Sequence, residues 1–207
     1  MTTAATVDSK ADSRQRLLLA TQELLWLNSY GSVSVDDLCR RADVNKGSFY
    51  HHFASKAELA QAAFEDHWEQ MRPVFDVVFS AQVPPLERFD RYAALTLEIQ
   101  TAKRTQYGSV LGCPYTTLGC EAGTRDIELR RAAGLKAERT IRYFTAAIRD
   151  GQASGDIPTG DPDTLACLCQ AFVAGSAAQA RIIDSLAPVE RLAAGLRRLL
   201  GAQPRPS

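Results

Sequence analysis

Residues 32–59, SVSVDDLCRRADVNKGSFYHHFASKAEL, decide how this chain folds. Ser34 followed by Asp37, and Ser55 followed by Glu58, each read as a capping box, where a hydroxyl and a carboxylate satisfy the free amides of a helix start reciprocally. Asn45 supplies a further cap between them. The pattern predicts short helices near Ser34–Ala42 and Asn45–His51. They lie between a longer helix from about Ser13 to Ser29, ended by Tyr30-Gly31, and another from Ser55 to about Ser80. Val35, Leu38, Val44, Phe49 and Phe53 are spaced to close on Leu17, Ala20 and Leu24 as a small trihelical core. That leaves Asn45, Lys46, Ser48, His51 and His52 on the outer face of the second short helix. Two short helices joined by a tight turn and braced by a third are the least that presents one helix to the major groove of DNA.

Outward from this head the chain reads as all-α, with almost no strand signal. Helices are expected from Pro84-Pro85 to about Tyr107, from Pro114, from about Arg125 to Arg149, from Asp163 to Ser185 and from Pro188 to Leu200. Residues 150–162, DGQASGDIPTGDP, read as the longest turn between them. The architecture is about nine helices: a three-helix DNA-binding head over 10–56, a helical ligand-binding and dimerisation bundle over 57–203, and disordered tails at 1–9 and 204–207.

With 207 residues, 45% hydrophobic and 23% charged, the chain has room for one core or two small helical units, and not for two enzyme domains. The expectation is that no apolar run reaches the roughly 18 residues of a membrane span, and that residues 1–9 lack the basic start and apolar centre of a signal peptide. A cytoplasmic protein follows. Five cysteines, an odd number in such a chain, read as free thiols. The 24 basic and 24 acidic residues cancel, and the head carries only seven basic residues against five acidic between Lys10 and Lys56. Charge therefore gives little reason to expect nucleic acid, and the motif must carry that reading.

Val44, Asn45, Lys46, Gly47, Ser48, Phe49, Tyr50, His52, Phe53, Ser55 and Lys56 resemble the recognition segment of the TetR family of helix-turn-helix repressors, over about Ala11 to Phe64. Two departures exist. Asp43 stands where the family has a turn glycine, and Cys39 where it has a small alanine; aspartate tolerates left-handed backbone better than most residues. The resemblance implies a homodimer on double-stranded operator DNA, released by a small-molecule effector, and it makes Tyr50 similar to a tyrosine that touches the DNA backbone. The chemistry of the other positions agrees. Gly47 lets a phosphate or base edge approach the helix, Lys46 supplies a base or phosphate contact, and Ser34 and Lys56 sit at helix starts where amides favour a phosphate. Asn45, Ser48 and His51 complete the candidate DNA face. The competing reading makes Ser34 only a cap, Tyr50 only packing and the histidines a solvated face.

Residues from about Glu65 to Ser207 resemble TetR ligand domains only loosely. Gly112-Cys113-Pro114, followed by Tyr115, Thr116, Thr117, Cys120 and Glu121, is similar to a subgroup that includes electrophile-responsive repressors. Proline favours the first helical position, which places Cys113 at the N-cap, where amides and the helix dipole stabilise a thiolate. The alternative is a small buried hydrophobe. Cys120 lies about 10.5 Å along the same helix at 1.5 Å per residue, too far for a disulfide with Cys113. Cys39, Cys167 and Cys169 read as core. Trp68, Phe75, Tyr92, Thr96, Cys113, Tyr115, Thr116, Cys120, Phe144 and Phe172 are the candidate lining of a pocket for a small, largely apolar molecule, each of them also readable as plain core. Small residues on the last two helices, Ala171, Ala174, Gly175, Ala177, Ala178, Ala193, Ala194 and Gly195, suit a close-packed dimer interface, which those helices form in the family. An activator or a cysteine-based redox sensor stays open. A thiol enzyme is disfavoured, because His51, His52 and His67 all lie in or beside the head. No Ser/His/Asp order, phosphate loop or zinc spacing occurs, so neither cofactor nor metal is expected.

Overall fold

The caps are made. In a computed structural model, which describes residues 9–122 and 126–202, Ser34 Oγ accepts from the Asp37 amide at 3.1 Å and the Asp37 carboxylate accepts from the Ser34 amide at 2.9 Å. They open α2, Val35–Ala42. Asp43 ends it in the left-handed region, φ 52° and ψ 53°, the geometry that made aspartate acceptable in place of glycine. Asn45 Oδ1 accepts from the Ser48 amide at 2.7 Å and opens α3, Lys46–His52. Ser55 Oγ accepts from the Glu58 amide at 3.1 Å at the start of α4, Lys56–Val78. Before them runs α1, Ser9–Leu27; after them come α5, Pro85–Tyr107, α6, Pro114–Ala122, α7, Ile127–Ser154, α8, Pro162–Ile182, α9, Ala187–Glu190, and α10, Leu192–Leu199. The described residues thus form ten helices and no strand, one helix more than expected because the last divides at Arg191. The tail expected over residues 1–9 lies outside the described residues except for Ser9, which begins α1; the one expected over 204–207 lies outside them entirely.

The turn expected to begin at Asp150 is also partly helix. Gly151 lies in the segment read as a turn, yet a Cβ there would come within 2.6 Å of the Ile157 side chain, so this glycine serves close packing and α7 continues to Ser154. The stop comes at Gly155, at φ +79°.

Two compact units result. One comprises the chain up to Glu69 with Thr117–Ala133; the other comprises Gln70–Thr116 and the chain from Gly134. The boundaries fall inside α4, α6 and α7. The first unit closes on Leu17, Leu38, Phe49, Phe53 and Leu59, all buried, with Cys39 among them as a small hydrophobe. Removing the Phe49 side chain is expected to cost about 3–5 kcal/mol. In the second unit Phe75, Phe79, Phe89, Tyr92, Tyr143 and Phe144 pack ring to ring. Arg88, buried beside them, donates to Asp150 Oδ2 at 2.6 Å and to the Val83 carbonyl at 2.8 Å.

On α8, Ala166, Cys169, Val173, Ala177 and Ala180 face the core. Cys167 is exposed, contrary to its reading as core: two residues apart on a helix are about 200° apart, so Cys169 and Cys167 cannot both point inward. The helix also corrects the expectation about membrane spans, since α8 is long and apolar enough to cross a bilayer by length and composition. Its alanines, cysteines and leucines raise the mean hydropathy without forming one unbroken apolar run.

Candidate DNA-binding surface and effector region

Phe49, fully buried, anchors α3 and turns its other face outward. Asn45, Lys46, Gly47, Tyr50 and His51 are exposed and Ser48 is half-buried; Tyr50 keeps 59% of its surface free while its ring edge meets Phe49 at 5.0 Å. Ser13, Arg16, Asn45, Gly47, His51 and His52 line one concave surface. A Cβ on Gly47 would sit 3.2 Å from Asn45 Oδ1, so glycine protects the α3 cap as well as leaving room for an approaching backbone. Lys46 Nζ pairs with Asp36 Oδ1 at 2.7 Å, both side chains more than half exposed. Such a pair is worth little and exchanges easily for a phosphate. His52 departs from the solvated-face reading: its Nε2 lies 2.8 Å from Ser13 Oγ on α1.

Lys56 is placed differently from its sequence reading as a phosphate contact. Its ammonium turns inward, donating to the carbonyls of Tyr30 at 2.9 Å and Val33 at 2.7 Å and standing 4.0 Å over the Tyr30 ring. Burial lowers its pKa, against a smaller opposite effect of Glu121. Glu121 holds the same turn by its amides. The Tyr30 amide donates to one carboxylate oxygen at 2.8 Å and the Gly31 amide to the other at 2.6 Å. The loop between α1 and α2 is therefore gripped by the start of α4 through its carbonyls and by the last turn of α6 through its amides. Nothing in the spacing of Glu121 signals this, because the partners are backbone groups some 90 residues earlier.

In the second unit Gly112 explains the glycine of its motif. It adopts φ +65°, and a Cβ would meet the Ala177 carbonyl oxygen at 2.9 Å. The Gln100 side chain takes both its amide and carbonyl, at 2.9 and 3.0 Å, while Asp184 accepts from the Val110 amide and Arg181 donates to the Leu111 carbonyl. These bonds pin the segment that ends in the half-buried Cys113, directly before α6. Phe75, Tyr92 and Phe144 come together, with ring centroids 5.7 Å apart for the first pair and 5.2 Å for the second. Tyr115 is buried; Thr96 and Thr116 are half-buried. Trp68 and Cys120 belong to the first unit, where Trp68 is buried and Cys120 exposed, and Phe172 packs onto α10, its ring occupying the space a Cβ on Gly195 would need. Cys120 points outward because α6 turns Tyr115 and Leu118 inward.

Residues 17–63 match the pattern of the bacterial regulatory proteins of the tetR family, and residues 85–196 match the tetracyclin repressor-like C-terminal domain. The chain belongs to the TetR family. Among its relatives, the transcriptional repressor NemR of Escherichia coli K12 is 26% identical over 191 residues, 91% of this chain and 94% of that protein. The transcriptional regulator AcuR of Cereibacter sphaeroides is 31% identical over 74% of this chain and 69% of its own length. Solved TetR-family structures agree: a regulatory protein of Rhodobacter sphaeroides superposes with a TM-score of 0.80 at 28% identity, covering 90% of this chain and 98% of that one. The reduced form of E. coli NemR superposes with 0.81 at 26%, covering 94% and 100%. TetR-family proteins are DNA-binding transcription regulators that act as dimers and respond to small molecules, and α8, despite its composition, lies within the matched C-terminal domain.

Proposed function

We propose that this protein is a repressor that binds a palindromic operator as a homodimer and leaves it when a small effector enters the second unit. The outer face of α3 carries the reading, since donors and acceptors suited to phosphates and base edges stay exposed on a helix fixed by a buried phenylalanine. Lys46, Ser34 and Tyr50 take the phosphates, Gly47 permits the close approach, Asn45, Ser48 and His51 border the groove, and Lys56 holds the head together from behind. Operator selected from random duplexes and titrated by fluorescence anisotropy tests this. Lys46→Ala and Tyr50→Ala are expected to weaken binding about tenfold or more per half-site. Equal wild-type affinity for all duplexes at moderate salt refutes the reading.

Cys113 supports an electrophilic effector as the second reading. It is half-buried at the end of a pinned loop and opens α6, whose far end holds the α1–α2 turn through Glu121. That a relative is described in a reduced form points to oxidisable chemistry in that relative. Mass mapping with limiting N-ethylmaleimide is expected to modify Cys113 before the buried Cys39 and Cys169, with the exposed Cys120 and Cys167 as competitors. If Cys113→Ser is released by the electrophile as readily as wild type, Cys113 is a lining residue only.

A further inference from the structure

We propose that the effector is a small organic acid, a carboxylate on a compact apolar body, and that Lys136 recognises its charge. This rests on the effector reading above and names the chemistry of that site. Lys136 lies on α7 four residues before Thr140 and eight before Phe144, both fully buried, so the helical repeat puts a lysine in the stripe that faces the core. The residue as a whole is half-buried, yet its charged end is inside. Nζ donates to Thr140 Oγ1 at 3.0 Å and stands 5.0 Å from the centroid of the buried Phe75 ring. Cys113 lies near enough to act electrostatically on both Lys136 and Tyr92, which joins the end of the pinned loop to the aromatic cluster.

No carboxylate of the described residues pairs with this ammonium, and the contrast with other inward cations is direct. Arg88 has Asp150, and Lys56 has two carbonyls. The ammonium faces an aromatic ring and one hydroxyl, and Cys113 is the one neighbour that supports its charge; burial outweighs that support and pushes Lys136 below the ordinary lysine range. A leucine would fill that register without such a penalty, so the charge is explained by an anion that arrives. Tyr92, which burial keeps protonated, and Thr140 add hydroxyls to the neighbourhood, while Phe75 and Phe144 supply apolar walls. One cation among aromatic rings suits a monoanion with an apolar body; it does not suit a polyphosphate or a sugar.

The test uses the full chain and titrates butyrate and benzoate against their neutral isosteres butyramide and benzamide by calorimetry, with operator release followed in parallel. The acids are expected to bind saturably and the amides at least tenfold more weakly. Lys136→Met, which keeps the stem and removes the charge, is expected to melt no lower than wild type, to bind operator normally and to lose at least tenfold in affinity for the acids. Lys136→Arg should retain the preference for acid over amide. Amides binding as well as acids, no acid binding at millimolar concentration, or wild-type affinity in Lys136→Met would each overturn the proposal. Should Lys136→Met not fold, the acid-to-amide ratio of the wild type decides alone. If the acids bind through Lys136 but leave the operator complex intact, the anion site stands and the effector reading fails; if only neutral compounds release operator, the reverse holds.

Discussion

Asp37 accepts from the amide and hydroxyl of Ser34 and from Arg40, and these donors hold its carboxyl near about 2 instead of 3.8. Because the folded carboxyl is the more acidic, its contribution to α2 is complete above about pH 4 and is lost as the pH falls through about 2. Protection of the Ser34 amide, measured as exchange relative to an unstructured peptide at the same pH, should therefore fall over that window in wild type and be low and independent of pH in Asp37→Asn; protection in wild type that does not change with pH contradicts this. Ser34→Ala is expected to cost about 1 kcal/mol of stability without any DNA, so its effect on operator binding must be corrected for that loss. Lys56 gives the complementary case. A lysine at a helix start reads as a phosphate ligand, and no local pattern shows that the chain from Tyr30 to Val33 returns its carbonyls to it. Lys56→Met should lower thermal stability and operator affinity but leave the salt dependence of binding unchanged, since no phosphate contact is removed. A slope reduced by about one would restore the phosphate role.

At the scale of elements, α6 begins directly after Cys113, where the proposed effector would act, and its last turn carries Glu121. Glu121→Ala removes the acceptor of the Tyr30 and Gly31 amides. Water reaches those exposed groups, so the expected stability loss is small, under about 1 kcal/mol. The larger effect belongs to signalling: operator affinity should persist while the effector concentration needed for release rises several-fold or release fails. Normal release by Glu121→Ala excludes α6 as the link. The elements also show what was legible beforehand. Capping chemistry acts over three or four residues, so the starts of α2 and α3 could be read directly, while the resemblance marked Asp43 as the turn position that proves left-handed. Gly151 and Lys136 could not be read in that way. The meaning of Gly151 depends on Ile157 and Pro85 closing over it, and that of Lys136 on the Phe75 ring of α4 meeting its ammonium. Periodicity tells which residues face inward on one helix and not which helices meet, so it could not show that Phe172 packs against Gly195.

For the whole molecule, α8 presents a problem that one chain does not solve. Its inner face supplies Ala166, Cys169, Val173, Ala177 and Ala180 to the core, yet its outer face is apolar too, with Leu168 at 53% and Ile182 at 82% exposure beside Cys167, Ala171 and Gly175. A helix apolar all round is stable in water only when both faces are covered, and a contiguous stripe of this kind marks an interaction surface. A second copy suits it: the small residues permit close helix packing, and an operator-reading head needs a partner to reach a second half-site about 34 Å away. Gly175 separates this from a folding effect, because a Cβ there meets nothing within 4 Å in the single chain, whereas Gly195 and Ala177 serve the chain's own packing. Gly175→Arg is therefore expected to keep its helical circular dichroism and a cooperative melt. The arginine would be buried without a partner in the dimer, so the variant should sediment as a monomer at micromolar concentration where wild type is a dimer, and it should lose specific operator binding. A monomeric wild type, or a Gly175→Arg variant that still dimerises, would remove α8 from the interface.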